Sequence, residues 1–160
     1  MASAMACFLR RRGLQTASIL ARRAYSTDSM TLTFSSPTEA FYKGVGVKQV
    51  DINTTSGSFG ILPMHVPAVA VLKPGVVTVY DGDKTQKFFA SSGAVTINAD
   101  SSVQIIAEEA FPIDRLDAQA ARQGLEKCQQ ELVSAGSEAN KAAAQVGVEL
   151  YEALLKALEH

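Results

Sequence analysis

A chain of 160 residues, 47% hydrophobic and 19% charged, with 15 lysines and arginines against 16 aspartates and glutamates, has room for one globular domain and a small appendage. Mean hydropathy is +0.08, yet charged residues interrupt every apolar run before the roughly 18 residues that a membrane-spanning helix requires. With only Cys7 and Cys128, a disulfide scaffold and a tetrathiolate zinc site are both excluded.

Residues 1–27 carry Arg10, Arg11, Arg12, Arg22 and Arg23, no acidic residue, and several alanines, serines and threonines. This is the composition of a mitochondrial presequence, and the arginines break any apolar run long enough for a secretory signal. Arg23-Ala24-Tyr25-Ser26 has an arginine three residues before an expected cut after Tyr25, so residues 1–25 read as a transit peptide. A nucleic-acid-binding arm would carry lysines and interleaved aromatics, which are missing here. Removing the segment takes five basic residues and no acidic ones, leaving a net charge of about −6 that disfavours phosphate backbones as partners.

Residues 26–113 hold all five prolines and are rich in Val, Ile and Thr, the composition of strands. Strands are expected at 31–34, 39–43, 47–52, 69–72, 75–80, 84–90, 94–97 and 103–107, with a hairpin turn at Asp81-Gly82-Asp83. Turn signals every eight to twelve residues suggest an antiparallel β-sandwich or barrel. The composition then changes near Phe111-Pro112-Ile113-Asp114. Pro112 is expected to end the last ladder and Asp114 to cap the first helix.

Residues 114–160 read as a helical hairpin. From Leu116 onward there are ten alanines and no Pro, Ile or Thr. The expected stripe of the first helix is Leu116, Ala120, Ala121, Leu125, Cys128 and Leu132, and that of the second is Ala143, Val146, Leu150, Leu154 and Leu158. Gly136 is expected to end the first helix in the left-handed conformation and Ser137 to cap the second. The whole is an α+β chain, an antiparallel β-sandwich followed by a two-helix hairpin.

Catalytic constellations are absent from the pattern. Outside the presequence the histidines are His65 and His160, too few for a metal site, and a nucleophilic triad would rest on His65 alone. Glu108 and Glu109 are neighbours at a strand end and would face opposite ways. Asp114, Arg115 and Asp117 suit a helix start, with Arg115 able to pair with either acid. The segment that stands out is 57–67, GSFGILPMHVP, in which two glycines, two prolines and a histidine prescribe a particular backbone path. A structural turn and a recognition loop are both compatible with it.

That segment, continued by 68–75, resembles the signature of the delta/epsilon subunit family of ATP synthases, delta in mitochondria and epsilon in bacteria and chloroplasts. The resemblance extends over 31–160, through Phe34-Ser35-Ser36-Pro37-Thr38, Ser91-Ser92-Gly93, the stretch 95–103, Ala107-Glu108-Glu109-Ala110 and 154–159. It implies a ten-stranded β-sandwich with a helical hairpin. It also implies a non-catalytic rotor part of the central stalk, partnered by a gamma subunit, a small mitochondrial epsilon subunit and the c-subunit ring, peripheral to the matrix side of the inner membrane. No cofactor or metal is implied. The residues the resemblance would place against the ring or gamma are Ser58, Phe59, Gly60, Ile61, Leu62, Pro63, His65 and Pro67. Bacterial members often have an acid where Ser58 stands. ATP-binding members have an arginine where Asp117 stands, so nucleotide binding is not expected here.

Overall fold

The computed structural model describes residues 29–159 except Asp83. The presequence, its cut after Tyr25, Asp83 of the expected turn and His160 lie outside the described residues. Ten strands run through β1 (Met30–Ser35), β2 (Ala40–Val47), β3 (Gln49–Thr54), β4 (Gly57–Ile61), β5 (Ala68–Leu72), β6 (Gly75–Asp81), β7 (Lys84–Ala90), β8 (Gly93–Ile97), β9 (Ser102–Ala107) and β10 (Ala110–Pro112). Helices α1 (Ala118–Ser134) and α2 (Glu138–Leu158) follow.

The strands follow one hydrogen-bonded path, β10-β7-β6-β3-β5-β8-β9-β1-β2, with β4 paired to β3. The path folds over itself into a sandwich. Phe34 on β1 and Phe41 on β2 meet Phe88 on β7, with ring centroids 5.4 and 4.9 Å away, and Tyr42 donates a 2.6 Å hydrogen bond to Gln86 Oε1. Burial first, and the charge of Asp81 second, raise the Tyr42 phenol above its ordinary pKa of 10.0. Strand alternation fills the interior with Leu32, Val50, Ile52, Val79, Val95 and Ile105. Truncating a residue such as Phe34 to alanine there costs about 3–5 kcal/mol.

Several expectations are corrected. The antiparallel rule has one exception, since β1 pairs with β9 in parallel. The single strand expected at 47–52 is two strands separated at Lys48, and this break lets Val47 and Val50 both reach the core. Pro112 ends the last ladder, as expected. It is the last residue of β10, opposite Phe88, where a strand at the end of the sheet tolerates the missing N–H. Asp114 does not cap α1, because residues Ile113–Arg115 form a separate 3-10 turn closed by the Leu116 N–H on the Ile113 carbonyl. The cap is Asp117, whose carboxylate accepts the Gln119 N–H at 2.7 Å. Arg115 pairs with neither Asp114 nor Asp117 but lies 3.5 Å from Glu39, before β2.

The hairpin also departs in detail. Gly136 has no positive φ, and α1 ends at Ala135 in an extended conformation, while Ser137 caps α2 as expected by accepting the Asn140 N–H. Both expected stripes are altered. Leu116 precedes α1 and Ala120 is exposed. On α2, Ala143 and Val146 face solvent, and Ala144 and Gly147 face inward instead. The cause is two reciprocal close approaches: the Tyr151 ring lies over Gly124, and Cys128 Sγ lies over Gly147. A Cβ on Gly124 would fall 2.4 Å from Tyr151 Cζ, and one on Gly147 2.8 Å from Cys128 Sγ. Against the outer side of the sandwich, α2 lies on β6. Phe89, 3% exposed and outside the main core, points to that side because its neighbours Phe88 and Ala90 point inward.

Helix propensity alone favours Gly124→Ala by about 1 kcal/mol. Displacing the rigid Tyr151 ring outweighs that gain, so amide exchange in α1 and α2 should accelerate in this variant while the strands keep their protection. Slower exchange in the hairpin would show that Tyr151 moves aside freely.

Candidate functional site

The distinctive segment is not an irregular loop throughout. Its first part is β4, antiparallel to β3, with Val50 opposite Ile61 and Thr54 opposite Gly57. Thr55 and Ser56 form the connection, and the Thr54 hydroxyl donates to the Gly57 carbonyl at 2.6 Å. Gly57 does adopt a positive φ, of 129°, whereas Gly60 is needed for space: a Cβ there would stand 2.7 Å from Asp51 Oδ1. Asp51 accepts a 2.6 Å hydrogen bond from Gln49 Nε2. Its hydrogen bond with Tyr80, and then its charge, raise that phenol above 10.0.

The eight residues singled out in the sequence are therefore divided by the fold. Ser58 is exposed and donates to Asn53 Oδ1 at 2.8 Å, a bond within the hairpin. Ile61 is fully buried and serves the core, so it presents no surface. Phe59 is half-buried and stacks with His65, centroids 6.0 Å apart and planes 21° from parallel. His65 Nδ1 donates to the Val66 carbonyl at 2.8 Å. Among the described residues no group of three or more His, Cys, Asp or Glu is placed to hold a metal, and His65 is held by its own loop.

Beyond Ile61 the chain turns at Leu62-Pro63-Met64-His65, with the His65 N–H returning to the Leu62 carbonyl at 3.2 Å. Proline at the second position and positive φ at the third make a turn that usually carries glycine third; here it is Met64, at φ 65°. Its N–H donates to Ser101 Oγ at 3.1 Å. Among the described residues Ser101 is the other non-glycine residue with positive φ, at 61°, so strained turns from two different connections, β4–β5 and β8–β9, are tied together. The result is an apolar tip of exposed Leu62, Met64 and Val66, with Pro63 half-buried and Pro67 exposed beside it.

A second surface was not resolved residue by residue in the sequence. On the outward side of β5, β8 and β9, Val71 pairs with Ala94 and Ala94 with Ile106, while Val69 pairs with Thr96 and Thr96 with Gln104. Next to them on β1 are Thr33 and Ser35. No outward position of these four strands is charged, and Val69 is 76% and Ile106 61% exposed. The available signal was the run Ala68-Val69-Ala70-Val71-Leu72. An apolar strand without alternation is one covered on both faces.

Backbone strain at Met64 is separable from its surface role. A side chain in the left-handed region costs about 1 kcal/mol relative to glycine, and Met64 is 71% exposed, so little packing is lost with it. Urea denaturation of Met64→Gly should show a gain of about 0.5–1 kcal/mol. A loss would mean that the side chain supports the turn.

The comparisons agree with this architecture. The model for the ATP synthase delta/epsilon chain β-sandwich domain matches residues 29–113, and the model for the C-terminal domain of the metazoan delta subunit of F1F0-ATP synthase matches residues 116–157. The chain is 40% identical to the mitochondrial ATP synthase subunit delta of Caenorhabditis elegans, covering 91% of this chain and 95% of the relative. The corresponding protein of Eremothecium gossypii is 39% identical, over 91% and 93% of the two chains. Among solved structures, a chain of the Euglena gracilis mitochondrial ATP synthase OSCP/F1/c-ring assembly superposes with a TM-score of 0.75 at 28% identity, covering 83% of this chain and 82% of that one. A chain from the Tetrahymena thermophila central stalk and c-ring shares the fold, with a TM-score of 0.61 at 18% identity over 81% and 96%. With both parts of the fold matched and its strands and hairpin in the family order, the chain belongs to the delta/epsilon subunit family of ATP synthases.

Proposed function

We propose that this chain is a non-catalytic rotor subunit in the central stalk of the mitochondrial proton-translocating ATP synthase, peripheral to the matrix side of the inner membrane. The observation that carries this reading is the uncharged outward face of β5, β8, β9 and β1, with valine and isoleucine side chains left in water. Exposed apolar rows of this kind mark a surface that a partner covers. The partner that suits this face is the gamma subunit. The Leu62-Met64-Val66 tip, with Pro63, His65 and Pro67 beside it and Ser58, Phe59 and Gly60 on the β4 strand that leads to it, meets the polar loops of the c-subunit ring, and the hairpin side receives the small epsilon subunit.

The physical task is transmission. Proton flow turns the ring, and a subunit standing between ring and gamma must pass torque without bending. The sandwich supplies stiffness through its packed inner rows and the aromatic junction of Phe34, Phe41 and Phe88. Strain-locked turns at Met64 and Ser101 fix the tip relative to the sheet. No bond is made or broken by this chain, and the domain division at 1–25, 26–113 and 114–160 corresponds to import, transmission and hairpin.

Gamma docking is tested by Val71→Glu combined with Ile106→Glu. Both side chains point outward, so the isolated variant should keep its circular dichroism and melting temperature. Its recovery with gamma from gently solubilised mitochondria should fall at least ~10-fold, because the new carboxylates would be buried unpaired. Normal recovery in the active synthase band would refute the assignment of this face.

ATP binding is not expected of this chain. The N-terminus of α1, which would receive a phosphate, is already occupied by the Asp117 carboxylate accepting the Gln119 N–H. Titration calorimetry of the chain without its presequence should detect no heat from micromolar ATP; a stoichiometric isotherm would contradict this.

A further inference from the structure

The two methionines of the described region sit in opposite environments. Met30, on β1, is 1% exposed within the core, whereas Met64 is 71% exposed at the loop tip. The turn prevents Met64 from taking shelter. Its φ of 65° and the N–H bond to Ser101 Oγ fix the direction in which the side chain leaves the backbone. Its exposed neighbours Leu62 and Val66 are inert to peroxide, so the thioether is the oxidisable group of the tip.

We propose that Met64 is a modification site that makes the loop tip redox-sensitive: oxidation of its sulfur converts the apolar contact into a polar one and releases the tip from its partner. The inference rests on the reading of this tip as a docking surface. Its co-reactant is a peroxide. The thioether sulfur attacks one peroxide oxygen, the O–O bond breaks as the S–O bond forms, and the proton on the attacked oxygen passes to the departing hydroxide, leaving sulfoxide and water; sulfur loses two electrons and the peroxide gains them. The sulfoxide is a strong, well-hydrated hydrogen-bond acceptor set between the apolar Leu62 and Val66, and stripping its water when the tip docks costs more than stripping water from the thioether. Methionine sulfoxide is reducible by thiol-dependent reductases, so the change is reversible.

The test is hydrogen peroxide treatment of the purified chain, read by peptide mass spectrometry, followed by rebinding to synthase stripped of this subunit. Sulfoxide should form at Met64 at least ~10-fold faster than at Met30, and rebinding of the oxidised chain should weaken at least ~10-fold. Met64→Leu, of similar size and without sulfur, should rebind equally well before and after peroxide. The inference is overturned if Met64 oxidises no faster than Met30, if the sulfoxide form rebinds normally, or if peroxide weakens Met64→Leu as much. Leu62→Asp separates this from the underlying reading. Failure of Leu62→Asp to rebind, with normal rebinding of the sulfoxide, sinks only the redox step; normal rebinding of Leu62→Asp sinks the docking tip and this inference together.

Discussion

The constraint on which the structure depends is that its sheet is apolar on both sides. Inner rows such as Val50, Ile52, Val77, Val79, Val95 and Ile105 fill the sandwich. Outer rows on opposite sides of the molecule also carry large apolar side chains, Phe89 on one and Val69, Val71 and Ile106 on the other. Water disfavours each such row, at roughly 25 cal/mol for every Å² left exposed. The chain resolves one side itself, since the hairpin lies on β6 and Phe89 is buried. It leaves the other side open, and an assembly surface follows from that imbalance without any catalytic group being needed.

Rigidity and recognition are produced by the same features. Folding the sheet over itself brings Phe34, Phe41 and Tyr42 over Phe88, and this junction sets how the two layers can move relative to each other. The hairpin β3-β4 projects the segment that becomes the apolar tip, and Ser101 from the β8-β9 connection holds that tip through the Met64 N–H. The tip is thereby tied to the strands that bear the outer valine and isoleucine rows. Strain at two non-glycine residues is tolerated because each turn supports the other.

What was legible in the sequence follows from where local and tertiary preferences agree. Strands β6, β8 and β9 were readable because their alternation of Val, Ile and Thr serves both propensity and burial, and β7 because it follows the Asp81-Gly82 turn and carries Phe88 and Phe89. Strand β4 was not, since Gly57-Ser58-Phe59-Gly60 has poor strand propensity and its conformation is imposed by pairing with β3. The parallel match of β1 and β9 joins residues about seventy apart and leaves no local trace. In the alanine-rich α2 several faces look equally apolar, and Gly124 and Gly147, by admitting Tyr151 and Cys128, choose among them. At the candidate site, the prolines and glycines of 57–67 drew notice, but Ile61 is core. On β5 the valines point outward and the smaller alanines inward, the reverse of what hydrophobicity alone would assign.

The most direct measurement of the central claim is hydroxyl-radical footprinting of side chains, comparing the free chain with the intact, gently solubilised synthase. If the open sheet face is the assembly surface, Val69, Val71 and Ile106 lose their reactivity on assembly, while buried Val50 is unreactive in both states. Equal labelling of Val69, Val71 and Ile106 in the free and assembled forms would contradict the account.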